Sequence, residues 1–504
     1  MIDQLHIPLK ALQQKGWQYF KAKCRQHILV EKLLNIYGIA LLASVSFVLA
    51  FLVAQSGVTF AILTAIVLVA VPIVVGLVIY PKFGIIVYLM LSFTIMFWLR
   101  YGITFPLGTL MDGMLALFIL GLFIKQKQAI KPNWIRFKNP ISTWILVWII
   151  YNILEFGNPA ADSRLAWVYT IRNMAFVAMM YFIFMYNIND KKYIKLIFKI
   201  WLGFMVFAAL YAAKQEFIGF ADFEERYNNS PGIPLLLFLA GHWRKYSVFS
   251  DPVTFAYNMA IASLLCVGLL TGPLKPIKKF ILVIIIAILL VNMIFSGTRG
   301  AFPLVPAGLL LYCILKFSRQ ILMFGIVAAL FIGFLIVMPT SNQNILRFQT
   351  AFRPNEDASY KARKINQARI KPYVWSHPMG GGLGSVGEWG KKFSPGSYLS
   401  NFPPDSGYVR TTVELGWIGL FIFCCMIFTI IKTGIDNYYK IKDPQLKSYC
   451  LGATLMVFTW NIANFPQEAL VQYPSNVVFY LTIALINVTL RLDEAQQQKS
   501  LSYA

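Results

Sequence analysis

Residues 347–408 read RFQTAFRPNEDASYKARKINQARIKPYVWSHPMGGGLGSVGEWGKKFSPGSYLSNFPPDSGY, a polar segment within a chain that otherwise consists of apolar stretches. The segment carries many lysines and arginines against few acids, and its glycine-rich run at 380–384 follows His377. Polar loops of this length inside a compact protein are usually functional or disordered. We therefore expect the apolar part of the chain to hold this segment in place over a substrate.

The composition is that of a polytopic membrane protein. The 504-residue chain is 58% hydrophobic and 13% charged, with a mean hydropathy of +0.63. A net charge of +24 would suggest a nucleic-acid partner for a soluble protein. Here most cations flank the apolar runs, where membrane topology explains them. We expect membrane lipids, and no nucleic acid, among the partners.

Apolar runs of about 20 residues span a bilayer core, and their number predicts an all-α bundle of about 14 spans (12–14). The predicted spans are 34–54, 58–80, 83–100, 105–124, 141–157, 165–186, 193–217, 252–271, 279–296, 299–317, 319–338, 408–432, 447–465 and 472–490. Cations in the short loops orient the bundle with both termini inside and the long polar segment outside.

The predicted organisation has five parts. They are a basic cytoplasmic segment at 1–33, a transmembrane bundle at 34–338, an external loop domain at 339–407, C-terminal transmembrane helices at 408–490 and a cytoplasmic tail at 491–504. The first part fits a basic amphipathic helix on the inner membrane surface, and a disordered basic tail is the alternative. A nucleotide-driven pump is unsupported, because the chain has no P-loop or dinucleotide fingerprint. The cysteine spacing predicts no metal site.

Arg172 lies about two turns inside a predicted span. A charge within a span costs about 2.5–3.5 kcal/mol on insertion scales and is a functional-site hypothesis by default. The alternative is an arginine that extends to the headgroups. Polar Asn173 beside it favours the functional interpretation, so we assign Arg172 to substrate binding.

Two further stretches bring cations to span ends on the outer side. Arg244 and Lys245 precede the span that begins at Pro252, where an interfacial anchor is the alternative interpretation. The turn FSGTRGAF at 295–302 presents Arg299 between Gly297 and Gly300. Such a turn exposes N–H groups to an anion, and an arginine adds a bidentate phosphate donor. An ordinary turn with an interfacial arginine is its alternative.

Asp405 stands at the outer mouth of the next span. It could accept a proton from a sugar hydroxyl, and a helix-capping role is the alternative. Arg410 and Glu414 are spaced i,i+4 and are expected to pair. Arg363 and Arg369 in the polar segment are assigned to substrate binding. Together these residues match an anion at the outer leaflet, such as a lipid-linked pyrophosphate sugar, whose leaving group arginines would neutralise.

These motifs, in this order, resemble those of the O-antigen ligase and O-antigen polymerase superfamily. The resemblance covers about residues 244–419 and rests on FSGTRGAF, on WSHPMGGGLGS at 375–385 and on ELGWIGL at 414–420. It implies an inner-membrane glycosyltransferase that works at the periplasmic face and needs neither a metal nor another cofactor. The donor would be an undecaprenyl-diphosphate-linked glycan, and the acceptor a glycan or glycolipid. A chain-length regulator is a further expected partner.

The resemblance also suggests roles for single residues. Arg244 and Arg299 would contact the diphosphate, with Lys245, Gly297, Gly300, His377 and Arg410 beside the substrate. Ligases of the superfamily show a His-Asn pair where this chain reads Pro404-Asp405-Ser406. We therefore favour a polymerase with Asp405 as base. A ligase, or His377 as base, stays open, as do a lipid-linked-oligosaccharide flippase and a scaffold of an export complex.

Overall fold

The computed structural model is almost entirely helical over the residues it describes, which are 36–102, 105–128, 134–239, 241–340, 343–350, 352 and 358–501. The basic segment expected at 1–33 lies outside these residues. The chain divides into two compact units, Met1–Gly76 and Leu77–Ala504. The predicted all-α membrane architecture is confirmed at this level.

One long helix, α1 (Ile36–Ile79), replaces the two spans predicted at 34–54 and 58–80. The expected break at 55–57 consists of Gln55, Ser56 and Gly57, without a proline. A single glycine inside a helix costs about 1 kcal/mol, which long apolar flanks can offset. The helix of 44 residues is roughly twice as long as a bilayer core is thick, at about 1.5 Å per residue.

The second unit contains eighteen described helices and one short hairpin. The helices are α2 (Pro81–Tyr101), α3 (Leu107–Gln128), α4 (Pro140–Leu154), α5 (Arg164–Ile171), α6 (Met180–Asn187), α7 (Lys191–Phe217), α8 (Asp222–Asn228), α9 (Ile233–Leu237), α10 (Pro252–Leu270), α11 (Pro276–Phe295), α12 (Leu304–Leu315), α13 (Arg319–Val337), α14 (Gln343–Thr350), α15 (Ala358–Ser376), α16 (Gly387–Phe393), α17 (Gly407–Lys440), α18 (Pro444–Ala463) and α19 (Ser475–Leu501). Strand β1 (Phe238–Leu239) pairs antiparallel with β2 (His242–Trp243).

Helix starts follow local capping chemistry. Asn139, Asp190, Asp251 and Asp443 each accept backbone N–H groups at the start of the following helix. A proline stands within the first two positions of α2, α4, α10, α11 and α18. There its missing N–H costs no hydrogen bond. The helix starts at Pro81, Pro140 and Pro252 lie within two residues of the predicted span starts at 83, 141 and 252.

Nine helical stretches of the described residues are long and apolar enough to cross a membrane. They are Pro81–Tyr101, Leu107–Lys127, Pro140–Gly157, Arg164–Asn187, Lys191–Phe217, Pro252–Leu270, Pro276–Phe295, Gly407–Lys440 and Ser475–Leu501. Arg299–Leu315 and Gly325–Val337 are apolar but shorter. The count of about 14 spans stays a prediction.

The centre of the bundle is formed by α18, which packs along most of its length against α10 and against α19. Gly268 of α10 faces Gly452 of α18 so closely that a Cβ on Gly268 would lie 2.4 Å from the partner Cα. Small residues of this kind let helix backbones approach inside a membrane protein. Helix α18 is thereby enclosed by its neighbours, and it is not among the nine apolar stretches.

One end of the bundle, here called the closed end, gathers the connections at 187–191 and 440–444 with the last helix. Lys191 pairs with Asp443 at 2.5 Å, and Asp493 of α19 accepts the N–H groups of Lys442 and Asp443. Arg491 donates to the carbonyl of Ile188. Residues 491–501, expected as a tail, therefore continue α19 and fasten this end.

The other end, here called the loop end, carries the polar segment between α13 and α17. Most of the described part of this segment is helical, in α14, α15 and α16. It has a small hydrophobic core of its own, formed by Ile370, Val386, Leu399 and Phe402 with Val413 of α17. The segment is therefore built onto the start of α17.

Candidate active site at the loop end

The turn at 295–302 is braced by Arg244. The Arg244 guanidinium donates from Nε to the carbonyl of Ser296 at 2.9 Å and from Nη2 to the hydroxyl of Thr298 at 2.9 Å. Gly297 has φ +59°, as the sequence predicted for this tight turn. Arg244 and the turn that carries Arg299 thus lie together, and Arg244 holds the turn in shape.

Gly300 of this turn lies against a buried tyrosine of α10. A Cβ on Gly300 would stand 2.8 Å from the hydroxyl of Tyr257. That hydroxyl is buried and has no hydrogen-bond partner among the described residues. Burial of a hydroxyl without a hydrogen-bond partner costs about 1–3 kcal/mol of folding free energy. Such a group is therefore expected to bind a water molecule or a ligand.

Arg363 of α15 connects this tyrosine to Asp405. The Arg363 charge acts on both the Tyr257 hydroxyl and the Asp405 carboxyl. Burial raises the pKa of Asp405 above its ordinary value, and Arg363 opposes that shift. The polar segment thereby places one cation and one carboxyl beside the turn that carries Arg299.

Asp405 does not cap α17. The N-cap position belongs to Ser406, and the Asp405 N–H donates to the carbonyl of Pro403 at 2.9 Å. The helix-capping alternative for Asp405 is therefore wrong. Its raised pKa and its half-buried position are properties that a general base can use.

A cavity of about 240 Å³ opens beside these groups. Its lining includes Asp251 and Tyr257 of the α10 region, Pro404 next to Asp405, and Glu468 and Gln472 of the connection between α18 and α19. The walls of the cavity are mostly polar. It is large enough for a small polar group and its water.

Arg410 is held by two carboxylates. Its guanidinium binds Glu414 at 3.1 Å, as predicted, and also Glu468 at 2.5 Å. The Glu414 side chain is 1% exposed and accepts the N–H of Gly384. These contacts engage Arg410 within the protein, and its predicted part in substrate binding is untested.

The glycine-rich run at 380–384 packs against the start of α17. The N–H groups of Gly381 and Gly382 donate to the carbonyls of Val413 and Glu414. A Cβ on Gly382 would stand 2.4 Å from that of Ala161. The run is fully buried, so its glycines are explained by close packing.

Gly416 bends α17 at the same place. Its φ is +68°, and a Cβ there would lie within 1.8 Å of the Pro378 carbonyl oxygen. Only glycine adopts this backbone conformation without strain. The bend lets the helix carry the polar segment on its first turns and continue into the bundle.

The other predicted site residues lie away from the cavity lining. His377 stacks on Tyr373 with ring centroids 4.0 Å apart. Lys245 pairs with Glu216 at 3.3 Å and is 6% exposed. Arg369 lies over the ring of Tyr398. Their assigned roles in substrate binding stay predictions.

Arg172 pairs with Asp112 of α3 inside the bundle, at a π-helical turn that spans Arg172–Phe176. Its Nε is buried without a hydrogen-bond partner among the described residues. Such π-helical turns are frequent at functional sites. The pairing with Asp112 explains how the span tolerates this charge, and the predicted binding role stays a prediction.

Sequence reasoning missed Tyr257, Glu468 and Asp112. Tyr257 sits in an unbroken apolar run, Glu468 in a short connection, and Asp112 is a lone acid in a span. The intramembrane acid was a usable signal, because charges within spans are rare. Among the described residues, His, Cys, Asp and Glu side chains form no group of three that could hold a metal ion.

The fold and the site define a multi-pass, helical membrane protein with a polar cavity at the end that carries its long polar segment. Residues 284–424 match the model of the family described as O-antigen ligase. This match covers the region from within α11 to within α17, and it supports the resemblance of the chain to the O-antigen ligase and polymerase superfamily. No curated protein matches the chain. The superfamily indicates a glycosyl-transferring membrane enzyme of polysaccharide biosynthesis.

Proposed function

We propose that the protein transfers a glycan from an undecaprenyl-diphosphate carrier to an acceptor sugar, most simply as a repeat-unit polymerase. The observation that carries this proposal is that the Arg363 charge acts both on the Asp405 carboxyl and on Tyr257, which lines the polar cavity. Asp405 is the base, and Arg363, Arg299 and Arg244 supply positive charge around it. The protein would lie in the inner membrane with both termini in the cytoplasm and the loop end in the periplasm.

The reaction needs a base on one side of a sugar carbon and cations on the other. Asp405 accepts the proton of the acceptor hydroxyl, and the oxygen forms a bond to the donor anomeric carbon. The bond from that carbon to the diphosphate oxygen breaks, and the lipid diphosphate leaves with both electrons. Positive charge fixed where this negative charge develops lowers the barrier. No nucleotide is needed, because the lipid diphosphate is already an activated leaving group.

The identity of the acceptor separates two candidate functions. A polymerase moves the growing glycan onto the next repeat unit, with a chain-length regulator in the same membrane as its expected partner. A ligase moves it onto lipid A–core or another acceptor, and the match to the O-antigen ligase family favours this second candidate. The carboxyl at 405 serves either reaction.

A complementation experiment tests the proposal and separates the candidates. A strain that lacks this protein receives the wild type, Asp405→Asn or Arg363→Gln at equal membrane levels, and its polysaccharide is resolved on a gel. Loss of the long-chain ladder with single repeats still attached indicates a polymerase. Loss of all attached glycan, with long chains on the carrier lipid, indicates a ligase.

Two neighbouring substitutions serve as controls. Lys364→Gln removes an exposed cation next to Arg363 on α15, and Glu388→Gln converts an exposed acid of α16 to its amide. Both should leave the gel pattern unchanged. Full activity of both site variants would refute the assigned site.

A further inference from the structure

A second cavity opens at the loop end, between the end of α2 and helix α8. Its volume is about 440 Å³, within the range of small-molecule sites. Its lining includes Arg100, Tyr101, Phe223, Arg226, Tyr227 and Ser250. None of these residues belongs to the site proposed above.

Arg100 is fixed in this cavity by neutral groups. It donates to the backbone carbonyls of Ser247 and Phe249 and lies over the ring of Tyr246, 4.3 Å from its centroid. Ser247 has φ +54°, a left-handed backbone conformation that is strained for a residue other than glycine. The bonds from Ser247 to Gln215 and Ala208 hold that backbone in place. Strained backbone thus positions the Arg100 guanidinium.

The two arginines of the cavity lack acidic partners in the described part of the chain. No ion pair there joins Arg100 or Arg226 to a carboxylate. The nearest buried acid, Glu224, binds Gln215 at 2.6 Å and stands 4.0 Å from Lys214. Guanidinium groups match carboxylate and phosphate oxygens in a fixed fork. The cavity therefore suits an anionic ligand.

Aromatic rings form the other wall. Tyr101 is 60% exposed and meets Phe223 edge to face, with centroids 5.4 Å apart. Tyr227 adds a ring that Arg100 overlies. Sugar rings have apolar C–H faces that pack on such rings, while the arginines bind a charged substituent. A site with both arginines and aromatic rings fits an acidic sugar better than it fits a bare phosphate.

Hydrogen bonds connect a residue that lines the second cavity to residues that line the cavity beside Asp405. The Ser250 hydroxyl, which lines the second cavity, lies within hydrogen-bond distance of Asp251 at 2.6 Å and of Gln472 at 3.1 Å. Asp251 and Gln472 line the cavity beside Asp405. A glycan held in the second cavity would therefore have its neighbouring sugars next to the reaction centre.

We propose that this second cavity binds an acidic sugar residue of the acceptor glycan. The assignment of this sugar to the acceptor rests on the proposed transfer reaction, while the binding of an acidic sugar is independent of that reaction. Arg226 supplies the exposed cation, Arg100 the fixed one, and Tyr101 the stacking surface.

Direct binding to the purified full-length protein in detergent tests this. The probes are a tetrasaccharide of galacturonic acid and neutral maltotetraose, measured by calorimetry with the wild type, Arg226→Gln, Tyr101→Ala and Lys391→Gln. Lys391 is an exposed cation of α16 and serves as the charge-matched control. We expect the acidic probe to bind more tightly than the neutral one. Arg226→Gln and Tyr101→Ala should each weaken its binding about tenfold, because the first removes a charge-assisted hydrogen bond and the second removes the stacking surface. Lys391→Gln should bind as the wild type does.

Equal binding of the two tetrasaccharides, no binding of the acidic one, or unchanged binding by Arg226→Gln would overturn the inference. Displacement of the acidic probe by vesicles of phosphatidylglycerol, but not of phosphatidylcholine, would instead assign the cavity to lipid headgroups. Binding lost in Arg226→Gln but kept in inactive Asp405→Asn would support the inference separately from catalysis. Conversely, inactive Asp405→Asn with no acidic-sugar binding in the wild type would leave the transfer proposal intact and remove this one.

Discussion

Two sets of cations at the two ends of the bundle are held differently. At the closed end, Lys82 pairs with Asp190 and Lys191 with Asp443, so each of these two lysines has an acidic partner. At the loop end, Arg100 donates to the backbone carbonyls of Ser247 and Phe249, and no ion pair within the described residues joins it to a carboxylate. A paired lysine fastens helices, whereas an arginine held by neutral groups keeps a positive field for an anionic ligand. The comparison predicts large effects on activity at one end and small effects on stability at the other.

The largest effect is expected at Asp405. Asp405→Asn should lower the transfer rate about 10²–10⁴-fold, because a general base contributes about that factor. The measurement is the rate of glycan transfer in membranes that contain equal amounts of each variant, with Glu388→Gln as the control. A rate within a few-fold of the wild type would remove Asp405 from the mechanism.

The pH dependence of activity and stability gives a second test of Asp405 as the base. Its pKa is raised above 3.8, so the folded protein holds this proton more tightly than the unfolded chain. The stability it contributes is therefore present at low pH and is lost as the pH rises through the raised pKa. Activity should rise over that interval while stability falls, and thermal unfolding of Asp405→Asn should lose this pH dependence. A parallel rise of both in the wild type would contradict the assignment.

Arg410 should matter more for stability than for chemistry. Arg410→Met leaves the carboxylate of Glu414 buried without its partner, and loss of one member of a buried pair costs about 3–5 kcal/mol. Thermal unfolding in detergent measures this, and the double variant Arg410→Met/Glu414→Met should recover part of the loss. A stable but inactive Arg410→Met would instead support its predicted contact with substrate.

Gly416 tests the bend in α17. Gly416→Ala places a Cβ against the Pro378 carbonyl and forces a non-glycine residue into φ +68°. The backbone conformation alone costs about 1–3 kcal/mol, so the unfolding temperature should fall. Gly396→Ala, whose Cβ would meet no atom within 4 Å, is the control. Equal unfolding temperatures for both variants would show that the helix start can move.

The smallest effect is expected at the closed end. The Lys82–Asp190 pair has side chains 47% and 46% exposed, and exposed pairs contribute about 0–1 kcal/mol. Lys82→Gln should shift the unfolding temperature little and leave transfer unchanged. A loss of activity as large as that of Asp405→Asn would end the functional distinction between the two ends.

The lengths of the apolar runs predicted the helical membrane architecture, because hydrophobicity is a local property of the chain. They did not predict the unbroken α1, since Gln55–Gly57 interrupts hydrophobicity without interrupting backbone hydrogen bonding. The site was only partly predictable. The pairing of Arg410 with Glu414 follows from helical spacing, but Glu468 reaches the same guanidinium from another connection, a contact that only the tertiary fold creates. The Tyr257 hydroxyl, which has no hydrogen-bond partner among the described residues, has no sequence signature.

The hydrogen bonds between the glycine run and the start of α17 determine which segment can be exchanged between related proteins. Gly381 and Gly382 bond to the carbonyls of Val413 and Glu414, and the carbonyl of Pro378 accepts the N–H of Ile418. A chimaera in which the loop alone is exchanged would lose these hydrogen bonds, because the new loop would no longer match the start of α17. The exchangeable module is the polar segment together with the first three turns of the helix after it, because that longer module keeps these bonds intact.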